Sequence, residues 1–327
     1  MKKFLNTPQS LLDESLNGFA AAHADILCLG EEHKFVRRRT LTPGKVALIS
    51  GGGSGHEPLH AGFVGEGMLD AACPGQIFTS PTPDQMIAAA EAVHQGAGIL
   101  FIVKNYEGDV MNFEMAAEMA EAKTASIITD DDVAVETSTY STGRRGVAGT
   151  LIVEKVVGAA AERGIALGAL QALGNAINRR TRSMGVALTS CTVPAAGKPN
   201  FALGEDEMEM GVGIHGEPGR RRVKLASAHA IAEEMTKAIL ADLGPARGSE
   251  AILLINGFGG TPALELYLLY HEARRIAEGG GVKPVRSLVG SYVTSLDMAG
   301  ASITLSILDE DQLSYWDAPV HTAALRW

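Results

Sequence analysis

The sequence is short of the features that staple or anchor a protein. Its 327 residues hold only three cysteines, Cys28, Cys73 and Cys191. They lie far apart and are odd in number, which argues against a secreted disulfide framework, and without a CxxC pair a thiolate zinc site is not expected. Aromatic residues make up 5 % of the chain. That scarcity, with abundant alanine and glycine, favours helices packed on sheets through small residues over a β-sandwich. No run approaches the eighteen or so apolar residues of a membrane span. The start, "MKKFLNTPQSLLDESL", has two lysines but no continuous apolar core before Pro8, so no signal peptide is read and the cytoplasm is the expected location. Basic residues are outnumbered, 28 against 38 acidic, for a net charge of −10. Such a chain repels phosphate backbones, and nucleic acid is not an expected partner.

What is present is ordinary in amount and particular in arrangement. Hydrophobic residues are 46 % and charged residues 20 % of the chain, as in a typical globular protein. A chain near 300 residues buries roughly 75 % of its unfolded surface and needs no staple. Apolar runs of strand length alternate with helical patterns. "KVALISGG" (45–52) reads as a buried strand ending in glycines. "SPTPDQMIAAAEAVHQ" then carries helix-start chemistry, with Thr82 as N-cap, Pro83 in the first turn and Asp84 near the positive end of the dipole. "GILFIVKN" and "ASIITDDD" read as further strands, "FEMAAEMAEA", "RRGVAGTLIVEKVVGAAAERG" and "LQALGNAINRRTRS" as helices, and "GVALTS" as a short strand. This rhythm predicts an α/β fold of two domains, each a largely parallel or mixed sheet flanked by helices. The proline- and glycine-bearing stretch "CTVPAAGKPNFALGEDE" is the best boundary, which places one domain over 1–190 and the other over 191–327.

Three loops carry chemistry. "GGGSGHEP" follows the first strand, and its glycines let backbone N–H groups approach a ligand closely. It is neither a Walker A loop, lacking Gly-Lys-Ser/Thr, nor a dinucleotide loop, since His56 stands where G-x-G-x-x-G needs its third glycine. "VKNYEGDVMNF" sets Lys104 and Asp109 at the end of another strand. A carboxylate beside an imidazole can fix its tautomer and raise its basicity. "GVGIHGEPG" presents His215 among glycines. His23, His94, His229 and His271 fall in helical patterns, and His60 is read as structural. His56, His215, Asp109 and Glu217 lack the close spacing of a metal motif, so no metal is expected.

Together, "GGGSGHEPLHAGFVGEGMLDAA", "KNYEGDVMNFEMAAE", "TGRRGVAGT", "CTVPAAGKPNFALGEDEMEMGVGIHGEPG" and "YVTSLDMAGASITL" make the chain resemble the ketone-binding (K) subunit of dihydroxyacetone kinases, over nearly its whole length. The resemblance implies two α/β domains, a homodimer, and a covalent hemiaminal between the ketone and His215. It implies His56 as the general base, assisted by Asp109, and Gly53, Ser54, Gly55 and Lys104 as further substrate contacts. It also implies that this chain binds no cofactor. ADP or ATP with magnesium is expected on a separate helical L subunit, whose phosphoryl group comes in many bacteria from the phosphoenolpyruvate-dependent phosphotransferase system. No fused L domain is expected after "DAPVHTAALRW". Glu107 in the "YEGD" turn and Ala301 in "MAGAS" depart from the family pattern and bear on substrate size. A longer ketose such as erythrulose is the alternative substrate, and a non-catalytic, ketone-binding regulator of transcription the alternative class.

Overall fold

The computed structural model describes residues 2–134, 143–217 and 219–327; Thr142 of the "TGRRGVAGT" segment and Pro218 of the "GIHGEPG" loop lie outside the described residues. Contacts divide the chain into two compact units. Unit 1 comprises Met1–Thr129, Ile152–Ala176 and Asp311–Trp327, and unit 2 comprises Asp130–Leu151 and Ile177–Glu310.

Unit 1 opens with α1 (Leu11–Ala22), β1 (Leu27–Leu29) and β2 (Val36–Arg38), followed by β3 (Ala47–Ser54), β4 (Gly65–Glu66) and β5 (Ala71–Ile77). Then come α2 (Pro83–Val93), β6 (Ile99–Lys104), α3 (Glu107–Met119) and β7 (Thr124–Thr129). Its six-stranded sheet runs β1-β2-β5-β3-β6-β7. The pairs β5–β3, β3–β6 and β6–β7 are parallel, while β1–β2 and β2–β5 are antiparallel. All eight residues of β3 are buried. That is why it reads as an unbroken apolar run: a central parallel strand has no solvent face to alternate towards. Helix α2 starts as its sequence foretells, with a capping box between Thr82 and Gln85. Small residues let it lie close to the sheet, where Ala89 and Ala90 pack with Ala47, Ala71 and Phe101.

Two helices carry the chain between the units' segments, α4 (Gly149–Glu162) and α5 (Leu167–Arg179). The first turn of α4 begins over Asp131, whose carboxylate accepts from the N–H groups of Val147 at 2.9 Å and Gly149 at 2.7 Å. Unit 2 adds β8 (Thr181–Ala187), β9 (Glu207–Met210), β10 (Arg221–Lys224), α6 (Ala228–Leu243), β11 (Glu250–Gly257), α7 (Ala263–Gly279), β12 (Lys283–Gly290) and β13 (Gly300–Ile307). Its sheet runs β10-β9-β8-β13-β11-β12 and is mixed, with only β11–β12 parallel. The chain closes in unit 1 with α8 (Glu310–Trp316) and β14 (His321–Thr322).

The division therefore differs from a cut at 190/191. The stretch Cys191–Asp206 is the connection between β8 and β9, antiparallel neighbours in one sheet. Its prolines and glycines serve a loop within unit 2. The C-terminal segment returns to unit 1, where β14 pairs with β4 and the Lys155 ammonium donates to the Tyr315 carbonyl at 2.8 Å. "TRS" at 181–183, read as the end of a helix, belongs to β8, because its alternate side chains are buried by strand pairing with β13. No helix among the described residues is long and apolar enough to cross a membrane.

Candidate active site

In unit 1 the sheet order decides which loops meet. From β3 the chain crosses to β5 on one side and then to β6 on the other, so the carboxyl end of β3 is a switch point where α/β sheets form clefts. The parallel register Ser50↔Ile102 brings the "GGGSGHEP" loop and the "VKNYEGD" turn to one sheet edge. Lys104, the last residue of β6, is wholly buried. Its ammonium donates to the Gly51 carbonyl at 3.3 Å, to His60 Nε2 at 3.0 Å and to Asp109 Oδ2 at 3.4 Å. A Cβ on Gly52 would land on that ammonium. Gly52 is thus required for the close passage of β3 over Lys104 rather than for an unusual backbone angle. Asp109 lies in the first turn of α3, where the helix dipole favours a carboxylate. It is 3 % exposed, and its Oδ1 has no hydrogen-bond partner among the described residues. A buried acceptor of that kind is costly unless a donor arrives.

His60, read from the sequence as structural, lies in this cluster. Its Nδ1 is 2.6 Å from Glu154 Oε1 and 3.0 Å from Ser50 Oγ, whose own proton goes to the Ile102 carbonyl at 2.6 Å. Burial pushes the imidazole well below its usual 6.5, with Lys104 and His56 acting the same way. Burial also pushes the Glu154 carboxyl up to about 8, against the opposing pull of Ser50 and Lys104. A carboxyl near 4.5 when unfolded and about 8 when folded keeps a proton in the folded state alone across that window. Its contribution to stability is full below 4.5 and is lost as pH rises towards 8. Glu154→Gln removes this titration. In urea unfolding across that range, the variant gains on the wild type as pH rises; parallel pH curves would refute the assignment.

His56 is 1 % exposed, and its ring stacks on Phe78 with centroids 5.0 Å apart and planes 22° from parallel. Phe78 holds a positive φ of 55°, an outlier for an aromatic residue, and donates its N–H to the Ser54 carbonyl at 2.9 Å. The Gly53 backbone packs against it, since a Cβ there would lie 2.8 Å from the Phe78 backbone. Ser54 gives its hydroxyl proton to the Gly75 carbonyl at 2.7 Å, which leaves its lone pairs as the available function. The Gly55 N–H donates to the Glu57 carboxylate at 3.0 Å. A cavity of about 400 Å³ lies along this loop, lined by Gly52, Gly53, Ser54 and His60 with Leu16 and Phe19 of α1.

In unit 2 the His215 loop leaves β9 and is held from below by a buried arginine. Arg145, with no exposed surface, bonds Asp132 through Nε at 2.8 Å, Glu217 through Nη1 at 3.2 Å and the Gly211 carbonyl through Nη2 at 2.8 Å. Glu217 in turn accepts the His215 N–H at 2.9 Å, and its carboxylate is 4.0 Å from His215 Nδ1. The His215 side chain keeps 14 % of its surface. A Cβ on Gly213 would displace the Glu217 carboxylate, so this glycine also serves a close approach. In both loops a glutamate two residues on accepts a backbone N–H, from Gly55 in one and His215 in the other. Sequence reading missed Phe78, Glu154 and Arg145 as parts of these sites. Only Arg145 left a trace, as a charge in the glycine-rich "TGRRGVAGT".

Comparison with known proteins gives the family. Residues 17–324 match the Dak1 domain. The chain is 48 % identical, over 99 % of its length and 100 % of the relative's, to the PTS-dependent dihydroxyacetone kinase 1, dihydroxyacetone-binding subunit DhaK, of Listeria innocua. The dihydroxyacetone kinase operon co-activator Dha-DhaQ superposes with a TM-score of 0.90 at 34 % identity, covering 95 % of this chain and 97 % of that one. The dihydroxyacetone kinase of C. freundii in its native form gives 0.88 at 35 % identity, covering 98 % of this chain and 60 % of that longer one. A match that spans both units, at this identity over nearly the whole of both chains, leaves one assignment: the chain belongs to the Dak1 domain family.

Proposed function

We propose that this chain is the ketone-binding subunit of a dihydroxyacetone kinase. It holds dihydroxyacetone as a hemiaminal on His215 while a separate L-type subunit, carrying ADP or ATP with magnesium, donates the phosphoryl group to give dihydroxyacetone phosphate. The observation that carries this reading is the His215 turn. Its Nδ1 side faces the Glu217 carboxylate at 4.0 Å, and glycines flank the ring, so Nε2 is the nitrogen offered to a ligand. The Nε2 lone pair bonds the ketone carbon, the C=O π bond breaks, oxygen gains a proton and Nδ1 loses one, so the adduct is neutral. A carbonyl is required for this step, which rejects glycerol although its hydroxyls are similar.

His56 takes the proton from the terminal hydroxyl as that oxygen attacks phosphorus. Asp109 Oδ1, buried without a partner among the described residues, accepts from a substrate hydroxyl. Gly53, Ser54, Gly55 and Lys104 complete the contacts, and the working subunit is a cytoplasmic homodimer. The test uses dihydroxyacetone labelled with carbon-13 at the ketone carbon. On adding protein, that carbon's NMR signal moves from the carbonyl to the saturated region; a signal that stays put refutes covalent capture. The likeness to an operon co-activator favours one second reading, a ketone-binding regulator. Capture without phosphoryl transfer from any L-type partner would establish it in place of the kinase.

A further inference from the structure

The hydrogen bonds around His60 admit one proton arrangement. Lys104, as an ammonium, has only protons to give, so His60 Nε2 accepts. Ser50 Oγ, 2.6 Å from the Ile102 carbonyl, lies 3.0 Å from Nδ1. With Nε2 accepting, the proton of the neutral ring is on Nδ1, 2.6 Å from Glu154 Oε1. Glu154 Oε2 has no hydrogen-bond partner among the described residues and the side chain is fully buried, which is a poor place for a full negative charge. With Glu154 neutral the buried group balances: Asp109 against Lys104, with His60 and Glu154 uncharged.

We infer that His60 and Glu154 are positioning residues for phosphoryl transfer: Glu154 fixes the His60 tautomer, and His60 thereby offers the lone pair that holds the Lys104 ammonium against Asp109. Two acceptors flank that ammonium besides Asp109, the Gly51 carbonyl and His60 Nε2. The Gly51 carbonyl belongs to the glycine strand itself and cannot turn. The imidazole can turn or change tautomer, and with its proton on Nε2 it would drive the ammonium away from its place beneath Gly52. The carboxyl 94 residues along the chain removes that freedom. The relevant property of Glu154 is its acceptor oxygen, not its charge.

This inference rests on the kinase reading, and the test separates the two. Glu154→Leu keeps the volume and removes the acceptor; Glu154→Gln keeps both. Each is assayed for ketone capture by carbon-13 NMR and for phosphoryl transfer with an L-type partner. The expected result is capture at the wild-type level in both, with transfer lowered on the order of tenfold or more in Glu154→Leu and largely retained in Glu154→Gln. Equal transfer in the two variants, whether both high or both low, overturns the acceptor role. Where Glu154→Leu fails to fold, His60 decides: His60→Gln retains transfer and His60→Met loses it, and equal values again overturn the inference. Absence of capture by the wild type refutes the hemiaminal on His215 instead, and the transfer ratio between variants is still read; absence of transfer by the wild type defeats the kinase reading.

Discussion

Replacing His215 by alanine abolishes the adduct signal of labelled dihydroxyacetone and lowers phosphoryl transfer at least about a thousandfold. The effect is expected to be large because the proposed adduct would convert a small, weakly held molecule into part of the protein, and that bond needs the His215 imidazole. The loss is chemical and not structural. The ring makes no contribution to the Arg145–Glu217 bonds, and the backbone N–H that Glu217 accepts survives the substitution. Urea midpoints of variant and wild type therefore stay close. His56→Asn is the complement: it leaves capture intact and costs transfer roughly 10²- to 10⁴-fold, the range of a general base. If His215→Ala keeps the adduct, or if His56→Asn loses it, the assigned roles are wrong.

Arg145→Met carries the largest expected loss of stability, about 3–5 kcal/mol, because it removes the cation between two buried carboxylates. Asp132 and Glu217 would then face each other's charge without compensation, and the Gly211 carbonyl would lose its donor. Burial already holds the Asp132 carboxyl above its usual range, and Arg145 opposes that shift. Without Arg145 the folded-state value rises further, while the unfolded value stays at 3.8. The added cost is absent below the unfolded value and complete above the raised folded one, so the variant recovers towards wild-type stability as pH falls to 3.8. Thermal unfolding across that range checks the sign. A deficit that does not change with pH would show that lost packing, not uncompensated charge, is the cause. Ketone capture should fail in the same variant at neutral pH, because the Glu217 carboxylate that holds the His215 N–H has lost its own anchor.

Much of the candidate site is legible in the sequence. Strands over 45–52 and 98–105 could be read from apolar runs ending in turn residues, and parallel neighbours in an α/β fold place such ends together. His56, Lys104 and Asp109 could therefore be assigned to one edge, and β3 beside β6 is what puts them there. The glycines could be read as room for a ligand. Two of them instead make room for the protein's own groups, Gly52 for Lys104 and Gly213 for Glu217. His60 could be read only as one more histidine, because Glu154, which sets its proton, lies 94 residues away.

The sequence by itself determined the α/β class, the capped start of α2, the two glycine-bracketed histidine loops and the family. Each of these depends on residues near one another in the chain or on long uninterrupted motifs. Only the tertiary structure decided where the units divide, since the closing segment pairs β14 with β4 across most of the chain. Only it showed Phe78 under His56, Arg145 beneath the His215 loop and the path from Glu154 through His60 to Lys104. The reason is the same for all three. A buried polar group must find its partner inside the fold, and the partner's place is set by packing, with no periodicity or spacing along the chain to announce it.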